Sequence, residues 1–346
     1  MIVAMNADAA RQEIEQVIER ISSCGLKAVD MPGGERTAIG VASGIPADLR
    51  ETLTALLESL PGVDHVTQVS RAYKLASREF HPADTVVTVK GIAIGGNEVI
   101  VAAGPCAIES REQLMQSAEV VKRCGGRMLR GGAYKPRTSP YAFQGLGLEG
   151  LTLLKEAGEV HGLVTITEIM DQHDLDALVE HADVLQIGAR NMQNYPLLTA
   201  VGKVAKPVVL KRGPAATVNE WLLAAEYVLA QGNEDVMLCE RGVHPLDRDH
   251  TRYTLDLSAV PVAKSLSHLP VIVDPSHSSG NWRYVSAMAK AAVAAGADGL
   301  LMEIHPDPAA ALCDGPQALK PETYAELMSS LGAVAAAVGR KLGLGA

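Results

Sequence analysis

Aromatic side chains are scarce in this chain, and so is net positive charge. Phe, Trp and Tyr make up 3% of the 346 residues, and 40 acidic residues outnumber 31 basic ones, which gives a formal net charge of −9. Nucleic acid is bound by basic surfaces, and single strands also need aromatic stacking platforms. The composition therefore argues against nucleic acid as a partner.

Long apolar runs and a basic N-terminal stretch are also missing. Lys290 interrupts the longest alanine-rich stretch, so no segment reaches membrane-spanning length and we expect no membrane partner. Met1-Ile2-Val3 lacks the basic region that opens a signal peptide. Cysteines are odd in number and scattered, which is typical of reduced thiols in the cytoplasm. They are Cys24, Cys106, Cys124, Cys239 and Cys313.

Residues 1–72 have the pattern of a small α+β domain. Alternating apolar runs and helical spacings give the order βαββαβ, which matches a ferredoxin-like fold, and Pro32-Gly33-Gly34 is a hairpin signal. Nothing in this segment clusters acids, thiols or histidines, so we expect no catalytic role; small domains of this kind commonly sense ligands or mediate assembly. The predicted strands and helices are 1–5, 9–24 (helix), 26–31, 37–42, 47–60 (helix) and 63–69.

After a predicted linker at 73–84, the pattern changes to apolar strands that alternate with amphipathic helices up to residue 346. Eight such units in about 260 residues match a (β/α)8 TIM barrel, whereas a doubly wound sheet usually has fewer strands. Ser110 with Gln113 and Thr217 with Glu220 are candidate capping boxes at helix starts. The predicted strands are 99–103, 127–129, 164–167, 184–187, 207–210, 236–239, 271–273 and 299–302.

Polar residues follow these strands one after another. Active sites of TIM barrels lie at the C-terminal ends of the strands. Scattered core polar groups would have no reason to share that end, so the pattern predicts an enzyme. The residues are Cys106, Arg130, Glu168, Arg190, Lys211, Arg241, His277 and Glu303.

The loop at 129–145 concentrates positive charge. Lys135, Arg137, Thr138 and Ser139 fall within five positions, and two prolines stiffen the loop. Pre-oriented guanidinium and ammonium groups bind phosphate or carboxylate best. Five cations at one barrel mouth would be costly to bury without an anionic partner, which predicts a small, highly charged substrate. These five are Arg130, Lys135, Arg190, Lys211 and Arg241.

Several motifs in a fixed order resemble the metal-dependent 3-deoxy-D-arabino-heptulosonate 7-phosphate (DAHP) synthases, and the bacterial subgroup with an N-terminal ferredoxin-like domain in particular. These enzymes condense phosphoenolpyruvate with erythrose 4-phosphate at the first step of the shikimate pathway. The resemblance covers nearly the whole chain. The motifs are Ala103-Gly104-Pro105-Cys106, the loop at 129–145, Gln186-Ile187-Gly188-Ala189-Arg190-Asn191, Leu210-Lys211-Arg212-Gly213, Cys239-Glu240-Arg241-Gly242 and Asp274-Pro275-Ser276-His277-Ser278.

The resemblance places a divalent metal on Cys106, His277, Glu303 and Asp314. One thiolate, one imidazole and two carboxylates suit a transition metal, and the metal is Mn, Fe, Co, Zn or Cd. Taken singly, Cys106 also reads as a small buried hydrophobe and His277 as a hydrogen-bonded core histidine. Cys313 is a rival thiol. Such a metal would either polarise an aldehyde oxygen or activate a water.

The resemblance also assigns substrate contacts. Arg190 and Arg241 take the phosphate of phosphoenolpyruvate, with the Ala189 amide as a further donor, and Glu168 orients a water or serves as an ion-pair partner. Cys106, Lys135, Glu168 and His277 are the candidate catalytic residues. The carboxylate is surrounded by Arg130, Lys135 and Lys211. The four-carbon aldose is held by Pro136, Arg137, Thr138 and Ser139.

The family likeness further implies a homotetramer and feedback control by an end product bound to the first domain. Val29 and Met31 stand in the predicted hairpin where an effector-binding member would need polar groups. These two residues disfavour feedback by an aromatic amino acid.

Three alternatives remain open. The nearest is 3-deoxy-octulosonate 8-phosphate synthase, which uses arabinose 5-phosphate and tends to carry a Lys-Ala-Asn-Arg-Ser-like run where this chain has Lys135-Pro136-Arg137-Thr138. A class I aldolase would form a Schiff base on Lys211. A metabolite-sensing protein with an inactive barrel should have lost some ligands or cations, and none is missing here.

Overall fold

The computed structural model describes residues 1–31, 37–68 and 72–345, and the chain forms two compact units, Met1–Pro82 and Ala83–Ala346. The predicted hairpin signal at Pro32–Gly34 and the last residue of the strand predicted at 63–69 lie outside the described residues. No helix in the described part of the chain is both long and apolar enough to cross a membrane.

The first unit has the predicted ferredoxin-like order. Its sheet runs β2-β3-β1-β4, and β1 pairs antiparallel with both β3 and β4. Alternate residues of β1, such as Val3 and Met5, are fully buried against Leu53 and Leu57 of the second helix. The elements are β1 (Ile2–Met5), α1 (Arg11–Ser23), β2 (Ala28–Met31), β3 (Ala38–Val41), α2 (Ala47–Glu58) and β4 (Val63–Thr67).

The segment predicted as a linker begins with structured residues. Tyr73, Ala76 and Phe80 are buried, and the Phe80 ring fills the space that a side chain at Gly40 would need. Residues up to Pro82 are therefore grouped with the first unit. The functional domain limits of 1–72 and 85–346 stay a prediction.

The second unit opens with a hairpin that the sequence analysis did not predict. β5 (Val87–Val89) and β6 (Ile92–Ile94) pair antiparallel across Lys90 and Gly91, which both have positive φ, as a two-residue hairpin turn requires. The hairpin contributes its apolar side chains to the core inside the barrel. It forms one cluster with Ile100, Ala102, Met128, Val164, Ile166, Val184, Val209, Met237, Cys239, Ile272 and Leu301.

Eight parallel strands within the described residues close into the predicted barrel, because β14 pairs with β7. Each predicted strand is present to within two residues of its predicted bounds. The strands are β7 (Glu98–Gly104), β8 (Met128–Arg130), β9 (Val164–Ile169), β10 (Val184–Ile187), β11 (Val208–Lys211), β12 (Val236–Glu240), β13 (Val271–Val273) and β14 (Gly299–Glu303).

Helices follow the strands, and their starts are set by local side chains. Thr217 and Glu220 form the predicted capping box, and Ser110 accepts the predicted hydrogen bond from the Gln113 amide. The Gln113 side chain departs from the prediction, because it accepts from the Glu109 amide instead. The helices are α3 (Arg111–Arg123), α4 (Leu148–His161), α5 (Leu175–His181), α6 (Tyr195–Gly202), α7 (Val218–Leu229), α8 (Ala259–Leu266), α9 (Pro275–Ser279), α10 (Trp282–Ala294) and α11 (Pro321–Ala337).

A buried carboxylate locks the N-terminal end of the barrel. Asp298 precedes β14, is 1% exposed and accepts from Lys264, from Arg340 and from the Val271 amide at 2.8–3.1 Å. Arg340 belongs to the segment that leads into β15 (Lys341–Leu342), a short strand beside β7. One acid thus joins α8, β13, β14 and the C-terminal segment.

We expect Asp298→Ala to destabilise the protein by about 3 kcal/mol, because the substitution leaves two cations without their shared counterion. Urea unfolding followed by circular dichroism measures this loss. Asp176→Ala, at an exposed position in the first turn of α5, is the control and should change the unfolding free energy by less than about 0.5 kcal/mol. An unchanged urea midpoint for Asp298→Ala would show that the contacts of Asp298 add no net stability.

Candidate active site

The C-terminal ends of the barrel strands enclose a cavity of about 180 Å³. Most of the predicted site residues line it. The predicted ones are Lys135, Pro136, Arg137, Thr138, Glu168, Ala189, Arg190, Lys211, Arg241, His277 and Asp314, and the others are Gly188, Pro214, Arg252, Tyr253 and Cys313.

The four predicted metal ligands converge at one side of this cavity. One donor atom from each of Cys106, His277, Glu303 and Asp314 lies within 4.8 Å of all the others. His277 Nε2 is 3.2 Å from Glu303 Oε1 and 3.9 Å from Asp314 Oδ2, and Cys106 Sγ is 3.5 Å from the same Asp314 oxygen. A thiol, an imidazole and two carboxylates at this separation can surround a single divalent cation.

The imidazole of His277 is oriented by the start of a short helix. Asp274 caps α9: its Oδ1 accepts from the His277 amide at 2.9 Å, and its Oδ2 lies 2.7 Å from His277 Nδ1. An ionised carboxylate only accepts, so Nδ1 carries the proton and Nε2 presents its lone pair to the cluster. Ser276, in the same turn, accepts from the Glu303 amide at 3.0 Å and so ties β14 to α9.

Asp314 is held in a left-handed backbone conformation, with φ of +52°. Aspartate tolerates this region better than most residues, but the conformation still requires support from its surroundings. Gln317 provides it by donating to Glu303 Oε2 at 2.6 Å and to Asp314 Oδ2 at 3.4 Å, and Arg252 donates to the same Asp314 oxygen at 3.3 Å. Gln317 therefore bridges the two carboxylates of the cluster.

The surrounding charges keep the cluster carboxylates ionised. Burial raises the pKa of Asp314, but electrostatic interaction with the His277 imidazole and with the Arg252 and Lys135 cations outweighs burial and lowers its pKa to about 2. Burial likewise opposes ionisation of Glu303, and His277 and Arg130 reverse the effect and lower its pKa. Both carboxylates are therefore anionic at neutral pH, the state in which they bind metal.

The histidine stays neutral for a different reason. Burial lowers the pKa of His277 and outweighs the attraction of Asp274 and Glu303, with the Lys211 cation adding to the lowering. A neutral imidazole is the form that ligates a metal.

Two thiols compete for one position in the cluster. Cys106 Sγ lies 3.3 Å from Cys313 Sγ, and both thiols are buried. The hydrogen bond to Cys313 and burial raise the pKa of Cys106, whereas the bond to Cys106 lowers the pKa of Cys313. Lys135 Nζ, 3.1 Å from Cys106 Sγ, favours a thiolate there. Cys106 is the thiol that the four-residue cluster contains.

The predicted cations differ in whether they line the cavity. Arg130 does not line the cavity: its Nη1 donates to the Pro105 carbonyl at 2.6 Å and to Glu303 Oε1 at 3.0 Å, behind the cluster. Its Nε is buried and without a hydrogen-bond partner within the described chain. Lys211 faces the cavity and donates to Asp274 Oδ2 at 2.6 Å.

Two arginines also line the cavity. Arg190 follows β10 and donates to the Pro136 carbonyl at 3.3 Å. Arg241 lies with its Cζ 4.2 Å from the centre of the Tyr253 ring, a cation–π contact. Burial opposes ionisation of the Tyr253 phenol, but the hydrogen bond and charge of Arg241, with the charges of Arg252 and Arg190, lower its pKa.

The predicted aldose loop is only partly in the cavity. Pro136, Arg137 and Thr138 line it, and Nη1 of Arg137 is buried with no hydrogen-bond partner in the part of the chain that the structure describes. Ser139 is exposed and lies outside the cavity lining. Glu168, at the end of β9, is held by Gln186, which donates to its Oε2 at 3.2 Å.

Sequence reasoning missed four residues that hold the site together. Asp274 had a detectable signal, because an acid three residues before a histidine with proline between them predicts a helix cap. The others are Arg252 and Tyr253, in the loop after β12, and Gln317, at the end of a 3₁₀ helix of three residues (Gly315–Gln317), and none of them had a sequence signal.

Comparisons with known proteins agree along the whole chain. Residues 82–337 match the sequence model described as the DAHP synthetase I family, and residues 1–71 match that of the DAHP synthase ferredoxin-like domain. A phospho-2-dehydro-3-deoxyheptonate aldolase of Thermotoga maritima is 45% identical over 342 residues, which are 99% of this chain and 100% of that protein.

The chain is also similar to a solved structure and to a more distantly related protein. The crystal structure of a DAHP synthase from Thermotoga maritima aligns with a TM-score of 0.78 at 44% identity and covers 99% of this chain and 98% of its own. A 2-dehydro-3-deoxyphosphooctonate aldolase of Syntrophobacter fumaroxidans is 33% identical over 261 residues, which are 70% of this chain and 89% of that protein.

Proposed function

The chain belongs to the DAHP synthetase I family, and we propose from that premise that it condenses phosphoenolpyruvate with erythrose 4-phosphate and water to give DAHP and phosphate. It is an enzyme of the class predicted from its motifs, a carbon–carbon bond-forming transferase of aromatic amino acid biosynthesis. The octulosonate alternative is the weaker one, because that relative is less similar and covers only the barrel-sized part of the chain.

The observation that carries the proposal is the set of cations around one small cavity. Lys135, Arg190, Lys211 and Arg241 all line it, together with His277 and Asp314 of the metal-ligand cluster. Lys135, Lys211 and Arg241 are buried. Buried cations need anionic partners, and phosphoenolpyruvate supplies two anionic groups, a phosphate and a carboxylate. We assign the phosphate to the arginine pair with the Ala189 amide, and the carboxylate to the lysine side, where Arg130 Nε is also unpartnered.

The cluster fits a divalent metal. Its donors are a thiol, a neutral imidazole and two ionised carboxylates, all within 4.8 Å of one another. When bound by Cys106, His277, Glu303 and Asp314, a metal would supply a Lewis acid that polarises an aldehyde oxygen or acidifies a water. We propose that it is Mn, Fe, Co, Zn or Cd, since thiolate and imidazole ligands favour these over Mg or Ca.

The chain's own residues orient the two substrates. Clamping both phosphates converts a reaction between two molecules into one within a single complex. C3 of phosphoenolpyruvate attacks the aldehyde carbon, water adds at C2, and phosphate leaves with cleavage of the C–O bond. Arg190 and Arg241 stabilise the charge that develops on that phosphate. Glu168, fixed by Gln186, is placed to orient the water, and Arg137 with Thr138 binds the aldose.

The class I aldolase alternative conflicts with the geometry at Lys211. Its ammonium donates to the buried Asp274 carboxylate at 2.6 Å, so the amine is held as a cation rather than as a free nucleophile. Trapping with borohydride should therefore label no lysine.

The test of function is consumption of phosphoenolpyruvate with erythrose 4-phosphate and, in parallel, with arabinose 5-phosphate. We expect turnover with the four-carbon sugar alone, its loss in a chelator and its recovery with a divalent metal. Preference for the five-carbon sugar would assign the chain to the octulosonate enzymes instead. Turnover with neither sugar would restore the metabolite-sensing alternative.

We propose that the first unit is regulatory, and deletion of residues 1–82 tests this. The barrel has its own core, so we expect kcat to be largely retained while any response to an effector disappears. The comparison is between full-length and shortened protein, with near-ultraviolet circular dichroism as the check on folding. A shortened chain that does not fold would show the first unit to be structural.

The proposal extends to the effector, the oligomeric state and the cellular location of the protein. We propose an end product of the pathway as effector. Buried Met31 and half-buried Val29 are apolar and disfavour an aromatic amino acid in that role. We also propose that the protein is a homotetramer. We propose the cytoplasm as its location, because its five cysteines are free thiols. Analytical ultracentrifugation tests the tetramer.

A further inference from the structure

Two consecutive residues in the loop after β12 contact both halves of the site. Arg252 Nη1 donates to Asp314 Oδ2 at 3.3 Å and to Gln317 Oε1 at 3.1 Å, in the metal-ligand cluster. The next residue, Tyr253, places its ring centre 4.2 Å from Cζ of Arg241, the arginine to which we assigned the phosphate. We call this pair the 252–253 strap.

Backbone hydrogen bonds fix the strap in place. The amides of Arg252 and Tyr253 donate to the carbonyls of Ser279 and Ser278 at 3.2 and 2.8 Å, so the strap is anchored to the helix that carries His277. Just beyond it, Thr254 exchanges two hydrogen bonds with Val243 at 3.0 and 2.9 Å. The strap is therefore tied to the segments that follow both β12 and β13.

Two glycines with left-handed backbones leave room for the strap. A Cβ atom at Gly242, where φ is +97°, would lie 2.6 Å from Tyr253 Cβ. A Cβ atom at Gly280, where φ is +67°, would lie 2.6 Å from Arg252 Cβ. Any other residue at either position would be strained and would displace the strap. Gly242 therefore leaves the space that Tyr253 occupies, and Gly280 leaves the space that Arg252 occupies.

We propose that Arg252 and Tyr253 are positioning residues for the two halves of the site. Arg252 fixes the Asp314 carboxylate for the metal, and Tyr253 fixes the Arg241 guanidinium for the phosphate of phosphoenolpyruvate. The tyrosine half rests on the function proposed above. The face of an aromatic ring confines a guanidinium without neutralising it, so Arg241 keeps its full charge for the substrate. Partners that orient a metal ligand commonly alter metal affinity by about 10- to 100-fold.

The experiment is a pair of titrations on each full-length variant: Mn²⁺ binding followed by electron paramagnetic resonance, and phosphoenolpyruvate binding to Mn²⁺-loaded protein followed by calorimetry. We expect Tyr253→Leu to weaken phosphoenolpyruvate about tenfold while Mn²⁺ affinity stays within about twofold. We expect Arg252→Met to weaken Mn²⁺ about tenfold. Tyr253→Phe keeps the ring face but loses the phenol that interacts with Arg241, so it should bind phosphoenolpyruvate more tightly than Tyr253→Leu does. Arg252→Lys should recover part of the Mn²⁺ affinity.

Matched controls come from the same chain. Arg248→Met removes an exposed arginine four residues before the strap, and Tyr227→Leu removes a half-exposed tyrosine on α7. Neither should change either affinity. If Tyr253→Leu does not fold, Tyr253→Met fills a similar volume without an aromatic face and carries the same expectation.

Wild-type affinity for phosphoenolpyruvate in Tyr253→Leu, or for Mn²⁺ in Arg252→Met, would overturn the corresponding half. Equal weakening of both ligands by both variants would show a loosened loop instead of two positioning roles. Neither titration needs turnover, so a failed condensation with these binding differences intact would refute the proposed function and leave the strap standing. If wild-type protein does not bind phosphoenolpyruvate, the tyrosine half fails with the function, and the Mn²⁺ titration still decides the arginine half.

Discussion

We expect Cys106→Ala to abolish metal-dependent turnover while the barrel still folds. The substitution removes the one thiol of a four-ligand cluster whose donor atoms lie within 4.8 Å of one another. Lewis-acid chemistry supplies several kcal/mol of transition-state stabilisation, and a loss of about 4 kcal/mol corresponds to about a 10³-fold loss of rate. Alanine is small and apolar, so the buried position tolerates it. Steady-state kinetics at saturating Mn²⁺, together with a thermal melt, measure the two expectations.

Two further cysteine variants sharpen this test. Cys124→Ala, at the end of α3, should behave as wild type in activity and metal content, because it is far from any cluster ligand in the fold. Cys313→Ala should still bind metal, since the rival thiol is not one of the four clustered ligands. Full activity of metal-stripped Cys106→Ala protein would refute the metal assignment. Loss of metal in Cys313→Ala alone would transfer the ligand role to that residue.

Asp274→Asn should weaken metal binding by about 10- to 100-fold and lower kcat/KM by about 10³-fold. The carboxylate is 1% exposed, receives Lys211 Nζ at 2.6 Å and faces His277 Nδ1 at 2.7 Å. An amide has one acceptor oxygen and one donor nitrogen, so it cannot accept from all these donors. Lys211 would lose its counterion, and the tautomer of His277 would no longer be fixed.

The matched control for Asp274→Asn is Asp247→Asn. Asp247 also pairs with the Nδ1 atom of a histidine three residues later, His250, at 2.9 Å, but both side chains are largely exposed. Its substitution should leave metal affinity and kcat/KM unchanged. Calorimetric titration with Mn²⁺ and initial-rate kinetics measure both variants. Metal affinity within about twofold of wild type in Asp274→Asn would show that His277 needs no such partner.

The barrel could be predicted because its information is local. Each strand is an apolar run whose side chains are buried on both faces, and each helix has an amphipathic period, so the number and order of units follow from the chain itself. The hairpin β5–β6 was not predicted because its local signals are weak. Its turn is Lys90-Gly91, which lacks the usual Asn-Gly or Asp-Gly signal, and its strands have three residues each.

The types of residue in the site could be predicted from the sequence, but their positions relative to one another could not. Cys106 and Asp314 are 208 residues apart, and only closure of β14 onto β7 brings their loops together. Arg130 illustrates this, because it donates to Glu303 and does not line the cavity, so its predicted contact with the substrate stays a prediction. Ser139 is exposed and also outside the cavity lining, so its predicted contact with the aldose stays a prediction too.

The sequence by itself determined the two units, the order of strands and helices, the family and the residue types that the reaction requires. Periodicity, turn residues and strand-end polarity are all properties of a few neighbouring positions, so they can be read before folding. The tertiary structure decided which side chains meet. It paired Asp274 with Lys211, and it placed Arg252 beside Asp314 and Tyr253 beside Arg241. Such pairings depend on the register of whole strands and on loop paths, which no local pattern encodes.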